Sequence, residues 1–272
     1  MSVFRTPAFV RASLAVVAAL TLATGAEARI VTSRGASTAA GPLRLVLGSG
    51  FEYETDAEES EYGFPFFAEY GFNDALTLTV EPSAVVIRRK SRGDLSGFGD
   101  LETTLTAEIV SERRHRPAFA IASTIKWPTA KRGDLGTGER DVSIGAIVSK
   151  EFLSCDVDAN VVYTFIGDPP GVSLKNTLEA SLASEWHPRP VLDVIAEVVT
   201  HFGAGGTFRG GTSALGGFAN IGGPEQGQAE FEVTLGLAER LGEFLKFEQG
   251  VVAKNDGAFQ FVIAWEYDFA GQ

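Results

Sequence analysis

The chain has 272 residues, 35 acidic against 23 basic, for a formal net charge of −12. A surplus of that sign leaves little to neutralise phosphates, so nucleic acid is not expected as a partner. The single cysteine, Cys155, excludes an internal disulfide and offers no thiolate cluster for a metal, while 31 glycines suit a sheet with many turns.

The first segment reads as a secretory signal. Arg5 and Arg11 make a positive start, residues 13–22 (SLAVVAALTL) are apolar but too short to span a bilayer as a helix, and Ala26-Glu27-Ala28 offers a small-x-small cleavage pattern. Residues 1–28 are therefore expected to be removed on export. Residues 29–42 are expected as a periplasmic N-terminal segment and 43–272 as one domain. No Pro/Ser-rich linker divides that stretch, and no shift to helical periodicity appears within it.

From residue 43 onward apolar and polar side chains alternate in runs of strand length, which predicts β-strands with one greasy and one polar face. Over 43–54, Leu43, Leu45, Leu47, Phe51 and Tyr53 oppose Arg44, Gly48, Gly50, Glu52 and Glu54. Over 61–72, Tyr62, Phe64, Phe66, Ala68, Tyr70 and Phe72 oppose Glu61 and Glu69. Over 75–87, Leu76, Leu78 and Val80 oppose Thr77, Thr79 and Glu81. The fourth run sets Leu101, Leu105, Ala107 and Ile109 against Asp100, Glu102, Thr104, Thr106 and Glu108. The fifth sets Phe119, Ile121, Ile125 and Trp127 against Ala122, Thr124 and Lys126, and the sixth sets Val142, Ile144, Ala146 and Val148 against Asp141, Ser143, Gly145 and Ser149.

Six more runs follow. They begin near Val157, Leu178, Leu192, Ala229, Leu245 and Phe259, and their polar faces carry Asp158, Asn160, Glu179, Glu185, Asp193, Glu197, His201, Glu230, Glu232, Lys246, Glu248, Gln260, Glu266 and Asp268. The total is twelve. Connections after odd runs are mostly long (88–99, 128–139, 167–175 and the glycine-rich 203–227), and those after even runs are short (73–74, 111–117, 153–155, 188–190, 239–243). The Asn255-Asp256-Gly257 turn is a short exception. An even strand count with alternating short and long connections predicts an all-β fold, a closed antiparallel transmembrane β-barrel of outer-membrane type with both termini in the periplasm. Closure follows because hydrocarbon cannot satisfy an open sheet edge. Tyr53, Tyr62, Trp127, Phe165 and Phe202 are expected at the outer interface, and Phe72, Trp186, Trp265 and Tyr267 at the inner one. A soluble barrel or sandwich would turn the apolar face inward instead.

With apolar residues on lipid, the polar faces line the lumen, and acids there outnumber bases. Asp100, Glu102, Lys126, Asp158, Asn160, Glu185, Asp193, Glu197, Lys246 and Glu266 are the expected lining residues of a solute path. Hairpin register places Glu102 opposite Lys126 and Lys246 opposite Glu266, pairs that hold register. A lumen of one sign attracts counter-ions, which predicts passive passage of neutral or cationic small molecules. Twelve strands fall between barrels whose interior side chains fill them and those that stay open, so the bore is either water-filled or plugged. A non-conducting structural or adhesive barrel is the alternative, and an outer-membrane lipid-modifying enzyme trails it. For the latter, His201 lies near the outer rim but points inward, and no G-x-S-x-G occurs. No catalytic residue, cofactor or metal is assigned. Asp134 and Asp141 do not have the spacing of an EF-hand loop. Expected partners are outer-membrane lipid, periplasmic chaperones and barrel-assembly machinery during biogenesis, and a small solute.

Several motifs add a resemblance: Gly97-Phe98-Gly99-Asp100-Leu101-Glu102; Lys126-Trp127-Pro128-Thr129 followed by Leu135-Gly136-Thr137-Gly138; Val148-Ser149-Lys150; residues 159–164 (ANVVYT); and Ile195-Ala196-Glu197-Val198. With these, residues 60–200 resemble the outer-membrane "meta-pathway of phenol degradation" transporter family. That resemblance implies a barrel that takes up or exports small compounds, aromatic ones among them, with Asp100, Lys126, Asn160 and Glu197 as recurrent lining residues.

Overall fold

The computed structural model describes residues 33–36, 42–55, 59–90, 93–131, 135–136, 138–169, 174–202, 230–240, 245–254 and 259–269. The expected signal peptide, the loops at 203–227 and 255–257, Asp134, and all of 29–42 except 33–36 and 42 lie outside these residues.

Every regular element among the described residues is a strand. They are β1 (Leu45–Thr55), β2 (Glu59–Asn73), β3 (Leu76–Glu81), β4 (Ser83–Arg89), β5 (Leu95–Phe98), β6 (Leu101–Val110), β7 (Ala118–Trp127), β8 (Asp141–Phe152), β9 (Cys155–Phe165), β10 (Thr177–Arg189), β11 (Leu192–Phe202), β12 (Glu230–Arg240), β13 (Leu245–Lys254) and β14 (Phe259–Phe269). Neighbours pair antiparallel around the ring, and β1 completes it by pairing β14 on one side and β2 on the other.

Fourteen segments make twelve staves. β2 pairs β3 along its second half and β4 along its first, so β3 and β4 are one strand broken at Pro82. Proline brings no N–H to the ladder, and its carbonyl still accepts from Phe66 N at 3.0 Å. Likewise β5 pairs β4 while β6 pairs β3. The sum of paired residue numbers changes by one between Ala84↔Phe98 and Glu81↔Glu102, which marks a bulge at Gly99-Asp100. Leu95 is inward before that bulge and Glu102 after it, so the inward set switches from odd to even numbers. The fourth stave therefore begins at Leu95, within the stretch 88–99 that alternation alone reads as a loop.

The two faces sort as the alternation requires. Leu105, Ile121, Ile144, Val161, Leu182, Val198, Phe231 and Leu235 are exposed on the outside, while Glu52, Glu69, Thr79, Thr104, Thr124, Ser143, Asn160, Thr164, Glu179 and Thr234 are buried within. The predicted outer-interface rings of Tyr53 and Tyr62 meet at 5.1 Å between centroids. Phe72 and Trp186 stand exposed toward the opposite end. Cys155, expected in a turn, is instead the first residue of β9, with Sγ 3.0 Å from Ser184 Oγ.

The inner face also carries apolar patches. Val46, Phe67, Ile195, Ala238, Val252, Val262 and Ala264 form one cluster. Phe67 lies flat over Gly48, where any Cβ would fall 2.1 Å from the ring, so only glycine lets the ring cross β1. A second cluster gathers Ala118, Ala120 and Ala122 of β7 with Ile147, Val162 and Ala36. Three small inward residues in succession leave room beside that wall.

Candidate functional site

The ten expected lining residues fall into three groups along the bore. Toward the end with the long connections, the one expected outside, stand Asp100, Glu102 and Lys126. Glu102 faces Lys126 across the β6–β7 ladder, as the hairpin register predicts. The Lys126 ammonium lies 2.5 Å from Asp141, its other ladder neighbour, and 3.7 Å from Asp100. Lys126 is only 1% exposed, so it is a neutralised part of the wall and not a free charge in water. The connection after β7 is fastened over the bulge. Ala130 N donates to Asp100 Oδ1 at 2.9 Å, and Thr129 Oγ1 accepts from Leu101 N at 2.8 Å. From the same connection Leu135 packs against Val85, Ile87 and Leu95.

Toward the end with the short turns, the one expected in the periplasm, stand Glu185, Asp193, Lys246 and Glu266. Lys246 faces Glu266 across the β13–β14 ladder as predicted, and its ammonium lies 2.8 Å from Glu185 and 3.0 Å from Glu248. Arg240 Nε donates to Asp193 Oδ2 at 3.1 Å. The His187 ring bridges Asp193 at 2.7 Å and Asp156 at 2.9 Å. Arg44 and Asp268 pair nearby, across the β1–β14 closure. Glu185, His187 and Asp193 each offer a donor atom within 4.8 Å of the others, a set that could hold a divalent cation. Lys246 and Arg240 already sit on the two carboxylates.

The third group, Asp158, Asn160 and Glu197, lies at mid-depth, and it encloses part of the chain itself. Residues 29–42 were expected in the periplasm, yet Ser33–Ala36 run inside the barrel, all but Gly35 fully buried. Glu197 of β11 accepts from both Ser33 N and Ser33 Oγ at 2.6 Å, and Ser33 Oγ pairs with the hydroxyl of Ser181 of β10 at 2.8 Å. The Asn160 side chain of β9 clamps Arg34 twice, accepting from its N–H and donating to its carbonyl, both at 3.0 Å. Ala36 N donates to Ser149 Oγ of β8 at 2.6 Å, and that hydroxyl also donates to Asp158. The Arg34 guanidinium meets Glu81 of β3 at 2.6 Å and Thr79 at 3.3 Å. In the ring of twelve staves β3 stands six places from β11, so the segment reaches from one wall to the wall opposite. A backbone in the bore must find partners for its N–H and C=O groups, and the inward polar side chains supply them.

Arg34, Glu81, Ser149 and Ser181 were not singled out as site residues, and neither were Asp141, His187 and Arg240. Asp141 and Arg240 adjoin Lys126 and Lys246 in the ladder, and His187 lies 2.7 Å from Asp193. Arg34 carries no such signal, because four residues of irregular backbone have no period.

Compared with solved structures, the chain is similar to an outer membrane channel from Pseudomonas putida F1 (TM-score 0.64, 13% identity, 84% of this chain and 96% of that one). It is similar also to the NanC porin (TM-score 0.58, 8% identity, 81% of this chain and 98% of that one). The fold is that of outer-membrane channel barrels. At such identities the likeness speaks to the fold alone. No protein-family model matches the sequence, and no curated protein matches it.

Proposed function

We propose that this protein is an outer-membrane channel for passive passage of small neutral or cationic molecules. The observation that carries the reading is the division of the barrel's two faces. Leucine, isoleucine and phenylalanine stand outside at lipid-facing positions, while Glu52, Glu69, Glu81, Glu102, Glu179, Glu197, Glu248 and Glu266 point into the bore. A closed barrel with that outside belongs in lipid, and the porin-like fold agrees with the outer membrane as its place. Carboxylates around a low-dielectric bore concentrate cations and repel anions.

Part of the bore is filled by Ser33–Ala36. Lys126, Glu197, Glu248 and Glu266 are each 2% exposed or less, whereas the walls of a wide aqueous pore would be wet. Passage of a solute therefore requires displacement of what fills the middle. The motif resemblance extends the proposal to aromatic compounds among the solutes. No catalytic role is assigned: His201 turns toward Glu179 in the bore, at 3.3 Å, and away from the lipid where a lipid-cleaving dyad would work.

Liposome swelling with sugars, amino-acid amides and carboxylates of matched size tests the proposal on the mature chain and on its Arg34→Ala form. Faster entry of neutral and cationic solutes than of carboxylates is the expected result. Faster entry of carboxylates, or no entry through either folded protein, overturns it.

A further inference from the structure

The groups around Ser33–Ala36 form a ligand site by every chemical criterion except that the occupant is the chain itself. One amide and one hydroxyl end on a carboxylate, Glu197. The next peptide unit is held at both its N–H and its C=O by one amide side chain, Asn160, as a neighbouring strand would hold it. The guanidinium ends on a second carboxylate, Glu81, with Thr79 beside it, and Glu69 lies 3.4 Å from that hydroxyl. Ala118, Ala120 and Ala122 provide the recess in which Ala36 rests. These groups come from five different strands, so no local propensity explains their convergence.

The spacing specifies a molecule. A dipeptide whose free N-terminus took the place of Ser33 N would set its α-ammonium on Glu197. Its own amide would lie on Asn160, and an arginine in second position would reach Glu81. Both positive ends then meet carboxylates, and the peptide backbone replaces the hydrogen bonds that Ser33 and Arg34 now make. We propose that this cradle is the channel's binding site for short cationic peptides or amides bearing a guanidinium, and that the N-terminal segment occupies it as an internal competitor that closes the bore. The inference rests on the channel reading and deepens it by naming the solute class.

Planar-bilayer recordings of the mature chain test it, with heat-modifiable gel migration confirming that each variant is folded. Arg34→Ala should raise the mean conductance about tenfold or more, since it deletes a charge-assisted hydrogen bond at one end of the segment. Seryl-arginine amide should block the Arg34→Ala channel, and seryl-citrulline amide, which keeps the shape without the charge, should block at least about tenfold more weakly. Adding Glu81→Gln to Arg34→Ala should remove most of that preference. If Arg34→Ala conducts like the parent, or if both dipeptide amides block alike, the site and its gate are overturned while a cation-preferring channel still stands. If no folded variant conducts, the channel reading falls and the gate falls with it.

Discussion

The periplasmic and middle parts of the bore are both built from buried charge, yet they are wired differently. At the periplasmic end, Lys246, Glu185, Glu248, Arg240, Asp193 and His187 belong to β10, β11, β12 and β13, and each partner sits on the same strand or one to three staves away. Those contacts close within the wall and persist whatever stands in the lumen. Across the bore, Glu197 and Glu81 stand on opposite walls and are joined through residues that belong to no strand. The first kind of network fixes register. The second kind connects the walls only while the segment is present. The lesson is that buried charge in a barrel should be sorted by whether its partner is wall or visitor, because only the latter can be exchanged for a solute.

Removing a wall cation should break the comparison most severely. Lys126→Met leaves Asp141 and Asp100 buried without their ammonium and should cost about 3–5 kcal/mol, read as a lowered urea midpoint in detergent with unchanged slope. An effect as small as that of an exposed pair would show that water reaches this tier.

Overpacking comes next. Gly48→Ala drives a methyl into the Phe67 ring and should destabilise by about 1–3 kcal/mol. Gly48→Ala combined with Phe67→Leu should recover part of that loss, because the shorter side chain vacates the space over β1.

Arg34→Ala should behave unlike either. Its ion pair ties the segment to β3 and joins no two strands to each other, so stability should fall by no more than about 1 kcal/mol while conductance rises. A large drop in stability without a gain in conductance would make the segment a structural filler. Smallest of all is Arg240→Gln. Its side chain is 41% exposed and His187 still holds Asp193, so the change should cost about 1 kcal/mol or less, seen as a nearly unchanged midpoint.

Much of this arrangement was legible in the sequence because a strand's side chains alternate with period two. Twelve runs with inward acids and outward leucines give the barrel, the faces, and the Glu102–Lys126 and Lys246–Glu266 registers. The period fails where the backbone does. At Gly99-Asp100 the bulge shifts the inward set from odd to even, which hides Leu95–Phe98 inside an apparent loop. Alternation also names the face without naming the partner. Lys126 has Glu102 on one side and Asp141 on the other, and its ammonium lies 2.5 Å from a carboxylate oxygen of Asp141. The seating of Ser33–Ala36 depends on six strands at once, and its sequence carries no periodic trace of that.

The most direct test of the central claim, that an acidic bore is the working surface of this protein, is the reversal potential of the Arg34→Ala channel under a potassium chloride gradient. The expected result is the sign of cation preference, diminishing as Glu81, Glu102 and Glu197 are changed to glutamine. Chloride preference, or a preference indifferent to those three substitutions, would contradict it.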